Sequence, residues 1–170
     1  VDALSDQQYL DYLYATLVSW GMHRMGRGGA KLRSMDDLRQ GFDAQRSAIA
    51  MIQRLELQHL PEAEVPHVAG HLWSIIDGLT VGVGATKIVS GSKALHHLLP
   101  ALVPPIDRQY TLNFFYGSTM FSTDDQAKMV RTLFPLFREI AVACEGAIAD
   151  TLAHPSCPMD NSVTKVIDNA

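Results

Sequence analysis

The sequence has few cysteines and few charged residues. Its 170 residues include 2 cysteines, Cys144 and Cys157, and 19% of the residues are charged, against about 25% in ordinary domains. So few cysteines exclude a disulfide scaffold, and their lack of motif spacing is typical of a reducing cytoplasm. The low charge and the 47% of hydrophobic residues exclude disorder throughout the chain, because disordered chains are polar and highly charged.

The sequence also lacks a long apolar run and an export signal. A membrane-spanning helix needs about 18 or more consecutive apolar residues, and Asp77 interrupts the apolar stretch around residues 73–76 early. Residues 1–6 have neither the basic region nor the apolar region of a signal peptide. We therefore expect a cytoplasmic protein without a membrane span.

Positive charge is scarce overall but is concentrated in one segment. The 14 basic residues against 18 acidic ones give a formal charge of −4, which argues against a generally basic nucleic-acid binder but allows a local patch. Four cations lie around the glycines of residues 26–29, namely Arg24, Arg27, Lys31 and Arg33. They either hold phosphate or nucleic acid, or they form a solvated loop that compensates the C-terminal dipole of the first helix.

Apolar side chains recur at the spacing of a helix face through most of the chain. Helix starts are marked by three capping boxes, which pair Ser5 with Gln8, Ser34 with Asp37, and Thr123 with Gln126. No run alternates apolar and polar residues over enough positions to predict a strand. The sequence therefore predicts an all-α fold, an irregular helical bundle that forms a single domain over residues 1–170.

Two of the predicted helices have features that a structure can check. The first helix should run from about residue 6 to Arg24, where glycines end it. A long helix opened by Thr123 should extend through Ile148, with a kink or a break at Pro135. Cys144 falls among apolar neighbours on this helix, which predicts a buried side chain.

The most informative segment is a glycine-rich turn at residues 79–84, which reads Leu-Thr-Val-Gly-Val-Gly. Between two helices, such a turn presents unpaired backbone N–H groups at a helix start, where they can bind phosphate. Gly82 and Gly84 matter because a Cβ would hinder both the turn and the close approach of a ligand. A proline-rich, extended segment at residues 100–105 then leads to Asp107.

Residues 79–116 resemble the helix-hairpin-helix DNA glycosylase superfamily. In that superfamily a hairpin reading roughly Leu-Pro-Gly-Val-Gly binds DNA phosphates, and a catalytic aspartate follows a helix and a proline-containing or apolar segment. The resemblance implies a helix-hairpin-helix-like turn near residues 79–92 and a protein that contacts DNA. The phrases at residues 20–22, 29–32 and 92–96 also resemble a bacterial protein family, and that resemblance implies no function.

The resemblance assigns roles to individual residues of this chain. Gly82 and Gly84 would contact phosphate, Lys87 would lie close to the position of the hairpin lysine, and Asp107 would be the catalytic aspartate. The two glycines are equally compatible with a helix end that permits tight packing. For Asp107 the residues themselves favour an N-cap for a helix that begins at Arg108, because aspartate is a favoured cap.

A second registration of the same resemblance starts the helix later. It takes Ser90, Gly91 and Ser92 as the helix entry. Lys93 then becomes the basic residue nearest Asp107. The sequence leaves both registrations open.

Two adjacent histidines follow on the same predicted helix. His96 and His97 must point in different directions, so we expect one to form an internal hydrogen bond and the other to meet solvent. His96 lies three residues after Lys93 and can share a polar cleft with it. The candidate catalytic residues are therefore Asp107, Lys93 and His96.

The sequence predicts no metal centre and no cofactor. His67 and His71 lie four residues apart, a spacing that can ligate zinc on a helix. A catalytic zinc site needs a third protein ligand, and the intervening residues lack the glutamate of a His-Glu-x-x-His motif.

These observations favour one function and leave two alternatives. The favoured hypothesis is a nucleic-acid-associated helical domain of the helix-hairpin-helix type, with or without catalytic activity, that contacts DNA or RNA through Gly82, Gly84, Lys87, Arg24, Arg27 and Lys31. The first alternative is a protein-interaction or oligomerisation module, such as a homodimer, because low charge and high apolar content can reflect an exposed apolar patch. The second is a small hydrolase-like enzyme that uses His96 or His97 with Asp107.

Overall fold

The structure, a computed structural model, describes Leu4, residues 6–22 and residues 32–170. This part of the chain is helical, and its one β-type pairing is an isolated antiparallel bridge between Leu32 and Gly82. The all-α prediction is confirmed. The helices are α1 (Gln7–Leu17), α2 (Met35–Ile52), α3 (Val65–Gly78), α4 (Lys87–Leu98), α5 (Asn113–Tyr116), α6 (Gln126–Ala143), α7 (Glu145–Ala153) and α8 (Val163–Asn169).

Helix α3 lies at the centre of the bundle. It packs against α2, α4 and α6. Its buried side chains are Val65, Val68, Ala69, Leu72, Ile75 and Ile76. A helix covered on several sides needs a wide apolar surface, which explains why α3 is among the most apolar segments of the chain. In the part of the chain that is described, no helix has both the length and the apolarity needed to cross a membrane.

The turn at residues 79–86 between α3 and α4 is bonded to the segment around α2. The Thr80 hydroxyl donates to the carbonyl oxygen of Asp37 at 2.6 Å, and the Arg33 amide donates to the carbonyl oxygen of Val81 at 3.0 Å. These bonds flank the Leu32–Gly82 bridge. Hydrogen bonds to residues outside the turn therefore help to hold its conformation.

The buried side chain of Gln126, at the start of α6, caps α4. Its Oε1 accepts the amide N–H of Lys87 at 2.7 Å and that of Ile88 at 3.0 Å. Its Nε2 donates to the carbonyl oxygens of Ala85 and Thr123 at 2.9 and 2.8 Å. One side chain therefore satisfies two of the amides that every helix leaves unpaired at its first turn.

Two π-helical turns interrupt the regular helices. The first, Val18–Met22, follows α1 and contains Gly21 with φ of 78°, a conformation that favours glycine. The second, Arg108–Leu112, follows the proline-rich segment. The first helix therefore ends earlier than the predicted boundary at Arg24, which itself lies outside the described residues.

The predicted helix caps are confirmed in part. Ser34 caps α2, as predicted, by accepting the amide three residues further on at 3.1 Å. Ser122, rather than Thr123, caps the turn that precedes α6. Asp6 caps α1, and the predicted cap Ser5 lies outside the described residues.

The predicted long helix is divided at a different position. Helix α6 continues through Pro135 and ends at Ala143, and α7 begins at Glu145. Cys144 between them has non-helical angles, φ −106° and ψ 18°. The change of direction exposes Cys144, so the prediction of a buried thiol is wrong.

We predict that Gly91→Ala destabilises the fold and that Gly70→Ala does not. A Cβ at Gly91 would lie 2.8 Å from Cγ2 of Ile76, at the contact between α4 and α3. Such overpacking costs about 1–3 kcal/mol. A Cβ at Gly70 meets nothing within 4 Å, and alanine there gains about 0.5–1 kcal/mol of helix propensity. Urea unfolding should give a lower midpoint for Gly91→Ala and an equal or higher one for Gly70→Ala. Equal midpoints for the two variants would contradict the close packing.

Candidate functional site

The candidate site is a cleft of about 360 Å³. Its volume is within the range of about 300–1,000 Å³ that small-molecule sites occupy. Residues far apart in the sequence line it, namely Trp20, Lys93, Pro105, Asp107, Tyr110, Lys165, Asp168 and Asn169. Trp20 and Tyr110 come from the two π-helical turns.

The cleft joins two of the predicted catalytic residues. Nζ of Lys93 lies 2.8 Å from Oδ2 of Asp107, and their side chains are 12% and 28% exposed. Oδ1 of Asp107 accepts the Gln109 amide at 2.8 Å. Asp107 therefore both pairs with Lys93 and caps the Arg108–Leu112 turn, so the N-cap interpretation is confirmed.

The backbone beside Asp107 is bonded to α4 and to its own turn. The Ile106 amide donates to the buried hydroxyl of Ser92 on α4 at 3.0 Å. The Asp107 amide donates to the Thr111 hydroxyl at 3.0 Å. These bonds hold the carboxylate of Asp107 against Lys93.

The electrostatics of the Asp107 carboxyl follow from this geometry. Burial raises its pKa, but the hydrogen bond and the charge of Lys93, with the amides of Gln109 and Tyr110, outweigh burial and hold the pKa below the ordinary value. At neutral pH Asp107 is therefore a carboxylate.

Two ammonium groups lie close to the indole ring of Trp20. Nζ of Lys93 and Nζ of Lys165 lie 5.5 and 5.8 Å from the centroid of the indole ring. Both distances allow a cation–π contact. Lys165 also pairs with Asp168, and both side chains are largely buried. The cleft therefore holds two ammonium–carboxylate pairs beside one aromatic face.

His97 packs against Trp20, with ring centroids 4.9 Å apart. Its Nε2 is buried and has no hydrogen-bond partner among the described residues. Burial, together with the nearby His96 and Lys165, lowers the pKa of His97 to about 4. The imidazole of His97 is therefore neutral at physiological pH.

The structure places His96 outside the cleft. His96 is buried, and its Nδ1 lies 2.9 Å from the carbonyl oxygen of Val103 and 3.3 Å from the Thr164 hydroxyl. Burial lowers the pKa of His96. Successive residues on a helix point about 100° apart, so Lys93 lines the cleft while His96 turns to the core. His96 is therefore not among the residues that line the cleft with Asp107.

The glycine-rich turn at residues 79–86 lies beside the cleft, and Arg108 connects the turn to the cleft. Nη2 of Arg108 donates to the Thr86 hydroxyl at 3.0 Å, while the preceding residue, Asp107, pairs with Lys93. Gly82 and Gly84 belong to this turn. The amides of Lys87 and Ile88 are bonded to Gln126.

Lys87 itself is paired on the far side of the turn. Its Nζ lies 2.7 Å from Oδ1 of Asp77 and 2.5 Å from the Asp77 carbonyl oxygen. A ligand phosphate would have to compete with this carboxylate for Lys87. The other predicted phosphate contacts, Arg24, Arg27 and Lys31, lie outside the described residues.

The second registration of the predicted hairpin does not match the observed helix. Ser90, Gly91 and Ser92 lie inside α4 rather than at its start. The expectation attached to that registration, that Lys93 is the basic residue nearest Asp107, agrees with the observed ion pair.

Sequence reasoning did not identify Trp20, Tyr110, Lys165 or Asp168 as site residues. In the sequence Trp20 continues the helical spacing of the apolar residues Leu10, Leu13 and Leu17, which is typical of a core position rather than a site. The three-residue spacing of Lys165 and Asp168 on a helix does indicate an ion pair, but it does not indicate that the pair faces Trp20. Only the packing of α8 in the tertiary structure shows this.

No cluster of three histidine, cysteine, aspartate or glutamate side chains suited to a metal ion occurs within the described ranges. The rings of His67 and His71 lie 6.5 Å apart, and Nε2 of His71 lies 3.1 Å from the Ala48 carbonyl oxygen. His71 is therefore used in the contact between α3 and α2.

Comparisons of this chain with protein-family models, with curated proteins and with solved structures found no match.

We predict that Lys93 controls the titration of Asp107. In the wild-type protein the carboxyl should titrate below its ordinary pKa of 3.8. Lys93→Met should raise that pKa, because burial remains and the ammonium group is lost. Lys87→Met is the matched control, since Lys87 pairs with Asp77. Carbon NMR of the Asp107 carboxyl can follow the pH titration, and an equal midpoint in both variants would contradict the assignment.

The same ion pair has a defined effect on stability. Because the folded-state pKa of Asp107 is lowered, its contribution is fully present above pH 3.8 and is lost as the pH falls through the folded pKa.

We predict that His97 makes the fold sensitive to mild acid. The pKa of His97 is about 4 in the folded protein against an ordinary 6.5. Between these two pH values, the unfolded chain therefore binds a proton at His97 that the folded protein does not bind. This contribution to stability is complete above pH 6.5 and is lost as the pH falls toward 4. His97→Phe should therefore show a smaller drop in urea midpoint across this range than the wild type. Above pH 6.5 the urea midpoints of the two proteins should depend on pH in the same way. Midpoints that change in parallel at every pH would refute the prediction.

Proposed function

We propose that this protein binds nucleic acid at the turn of residues 79–86 and admits an unstacked base into the adjoining cleft beside Trp20. The observation that carries the proposal is the continuity of the two features. Asp107 and Arg108 are consecutive, and one pairs with Lys93 in the cleft while the other bonds Thr86 at the turn. A strand held at the turn would therefore pass directly over the mouth of the cleft.

The cations around the turn support a contact with phosphate. Arg33 and Arg108 are exposed, and they bond neutral oxygens, the Gly82 carbonyl and the Thr86 hydroxyl. These bonds position the guanidinium groups without cancelling their charge. Positive charge from two separate elements beside one turn suits a polyanionic backbone, even in a chain of net negative charge.

The cleft supports a contact with a base. The indole of Trp20 offers an aromatic face, and base–aromatic stacking accepts any base. Lys93 and Asp107 place a donor and an acceptor side by side at 2.8 Å, which suits the mixed donor and acceptor edge of a nucleobase. Proteins that act on a base need such a pocket to receive it outside the duplex.

A catalytic form of this function would use the same ion pair. By the resemblance to helix-hairpin-helix glycosylases, Asp107 would be the catalytic carboxylate, and its lowered pKa keeps it ionised. Lys93 would be the neighbouring amine.

Self-association is a second candidate function, favoured by a separate observation. Tyr110, Phe114 and Met120 are 74%, 80% and 79% exposed within a short stretch of sequence. Exposed apolar side chains this close together are typical of interaction surfaces. A homodimer would elute in gel filtration at twice 18.7 kDa, and elution at the monomer mass at high protein concentration would remove this candidate.

We predict that Trp20 and Arg108 contribute differently to nucleic-acid binding. Trp20→Ala should weaken binding by about 5- to 150-fold, because stacking on one base contributes about 1–3 kcal/mol. Trp20→Phe keeps an aromatic face and should retain most of the affinity. Arg108→Gln should lower the slope of log affinity against log salt by about 1. Fluorescence anisotropy of a labelled single strand, and of a duplex with an unpaired base, measures both effects.

Arg54→Gln is the matched control for the charge effect. Arg54 is exposed beyond the C-terminal end of α2, whereas the Asp37 carbonyl that holds the turn lies in the first turn of that helix. At about 1.5 Å per residue, the two ends of α2 are roughly 25 Å apart. Arg54→Gln should therefore leave the slope of log affinity against log salt unchanged. Absence of a salt-dependent anisotropy change with either probe would refute nucleic-acid binding. Undiminished binding by Trp20→Ala would refute the role of the cleft.

A further inference from the structure

A second and larger cavity adjoins the cleft. It is a groove of about 770 Å³ between the Arg108–Leu112 turn with α5 on one side and α6, α7 and α8 on the other. Phe137 and Ile148 lie in it and are 4% and 6% exposed. Phe115 packs edge-on against Phe137, with ring centroids 5.6 Å apart. The groove is therefore a formed apolar site rather than a flat surface.

The groove and the cleft share one end. Tyr110, Asp168 and Asn169 line both cavities. Asp168 is paired there with Lys165. The junction between the polar and the apolar cavity thus carries one positive and one negative group, with no net charge.

We propose that the two cavities together bind a single-chain amphiphile, with its apolar tail in the groove and a zwitterionic head at the Lys165–Asp168 pair. The apolar lining of the groove favours a hydrocarbon tail because its burial removes apolar surface from water. A purely anionic head would face Asp168, and a purely cationic head would face Lys165 and Lys93. A head that carries both signs complements the pair without leaving either group unpaired.

This inference does not rest on nucleic-acid binding, because the apolar groove takes no part in that proposal, although the head would occupy the end of the cleft that the two cavities share. A second copy of the chain is the competing occupant of the groove. It would bury the exposed Phe114 but would not place a zwitterion at Lys165. The experiment below distinguishes the two occupants.

The test uses dodecylphosphocholine below its micelle concentration as the probe. Cys144 is exposed and lines the groove, whereas Cys157 is not part of its lining. Iodoacetamide labelling, followed by peptide mass spectrometry, should therefore slow at least fivefold at Cys144 on addition of the probe and stay unchanged at Cys157. In a Trp73→Phe background, where Trp20 is the remaining tryptophan, the same titration should change the fluorescence of Trp20 with the same midpoint.

Two matched variants locate the tail. Ala147 and Ala143 are both exposed alanines, but only Ala147 lines the groove. Ala147→Phe should weaken probe binding at least tenfold, and Ala143→Phe should leave it unchanged. Equal affinities for these two variants would overturn the assignment of the groove.

Two further probes locate the head. Dodecanoate, which is anionic, should bind at least tenfold more weakly than dodecylphosphocholine, and phosphocholine without a tail should not saturate at the same concentrations. Equal binding of dodecanoate would overturn the zwitterionic head. Failure of dodecylphosphocholine to saturate would overturn the proposal as a whole. Elution at the dimer mass with Cys144 protected before any probe is added would assign the groove to a second copy.

Discussion

The position of helix α4 depends on the side-chain amide of Gln126. This buried group makes four hydrogen bonds, two through Oε1 to the first amides of α4 and two through Nε2 to the backbone carbonyls of Ala85 and Thr123. All of its hydrogen-bonding capacity is met inside the protein, which is the condition under which a buried amide stabilises rather than destabilises a fold. Where α4 begins determines which of its residues approach Trp20, and Lys93, which lines the cleft, and His97 are among them.

The same interaction changes the chemistry of the turn. A helix start with open amides attracts anions, but in α4 the amides of Lys87 and Ile88 are bonded to Gln126. Two of the amides that could attract phosphate at this helix start are therefore already used within the protein. Arg33 and Arg108 add positive charge from outside the helix, and each bonds a neutral oxygen of the turn. The turn therefore also positions two guanidinium groups, which its glycines alone do not predict.

The helical class was predictable because apolar spacing and Ser34 capping are local signals, and both agree with the structure. Within the site, the proximity of Lys93 and Asp107 was predictable, since 14 residues separate them and a proline-rich segment limits how they can meet. The partners of Trp20 were not, because Lys165 approaches it across almost the whole length of the chain. For Cys144 the local pattern led to a wrong prediction. Its neighbours fit an apolar helix, which predicts a buried thiol, yet the non-helical φ and ψ angles at that residue expose the thiol to solvent.

The shared end of the two cavities constrains how the proposed functions relate. Tyr110 and Asp168 line both the cleft and the groove, so a base beside Trp20 and a zwitterionic head at Lys165 would occupy overlapping space. If both ligands bind, each must weaken the other by the same factor, because coupling between two binding equilibria is reciprocal. An amphiphile would then act as an antagonist of nucleic-acid binding without touching the turn or its arginines. The salt dependence that Arg33 and Arg108 confer should survive in its presence, whereas the contribution of Trp20 should not. A loss of affinity with an unchanged salt slope is therefore the signature that separates competition in the cleft from competition at the turn.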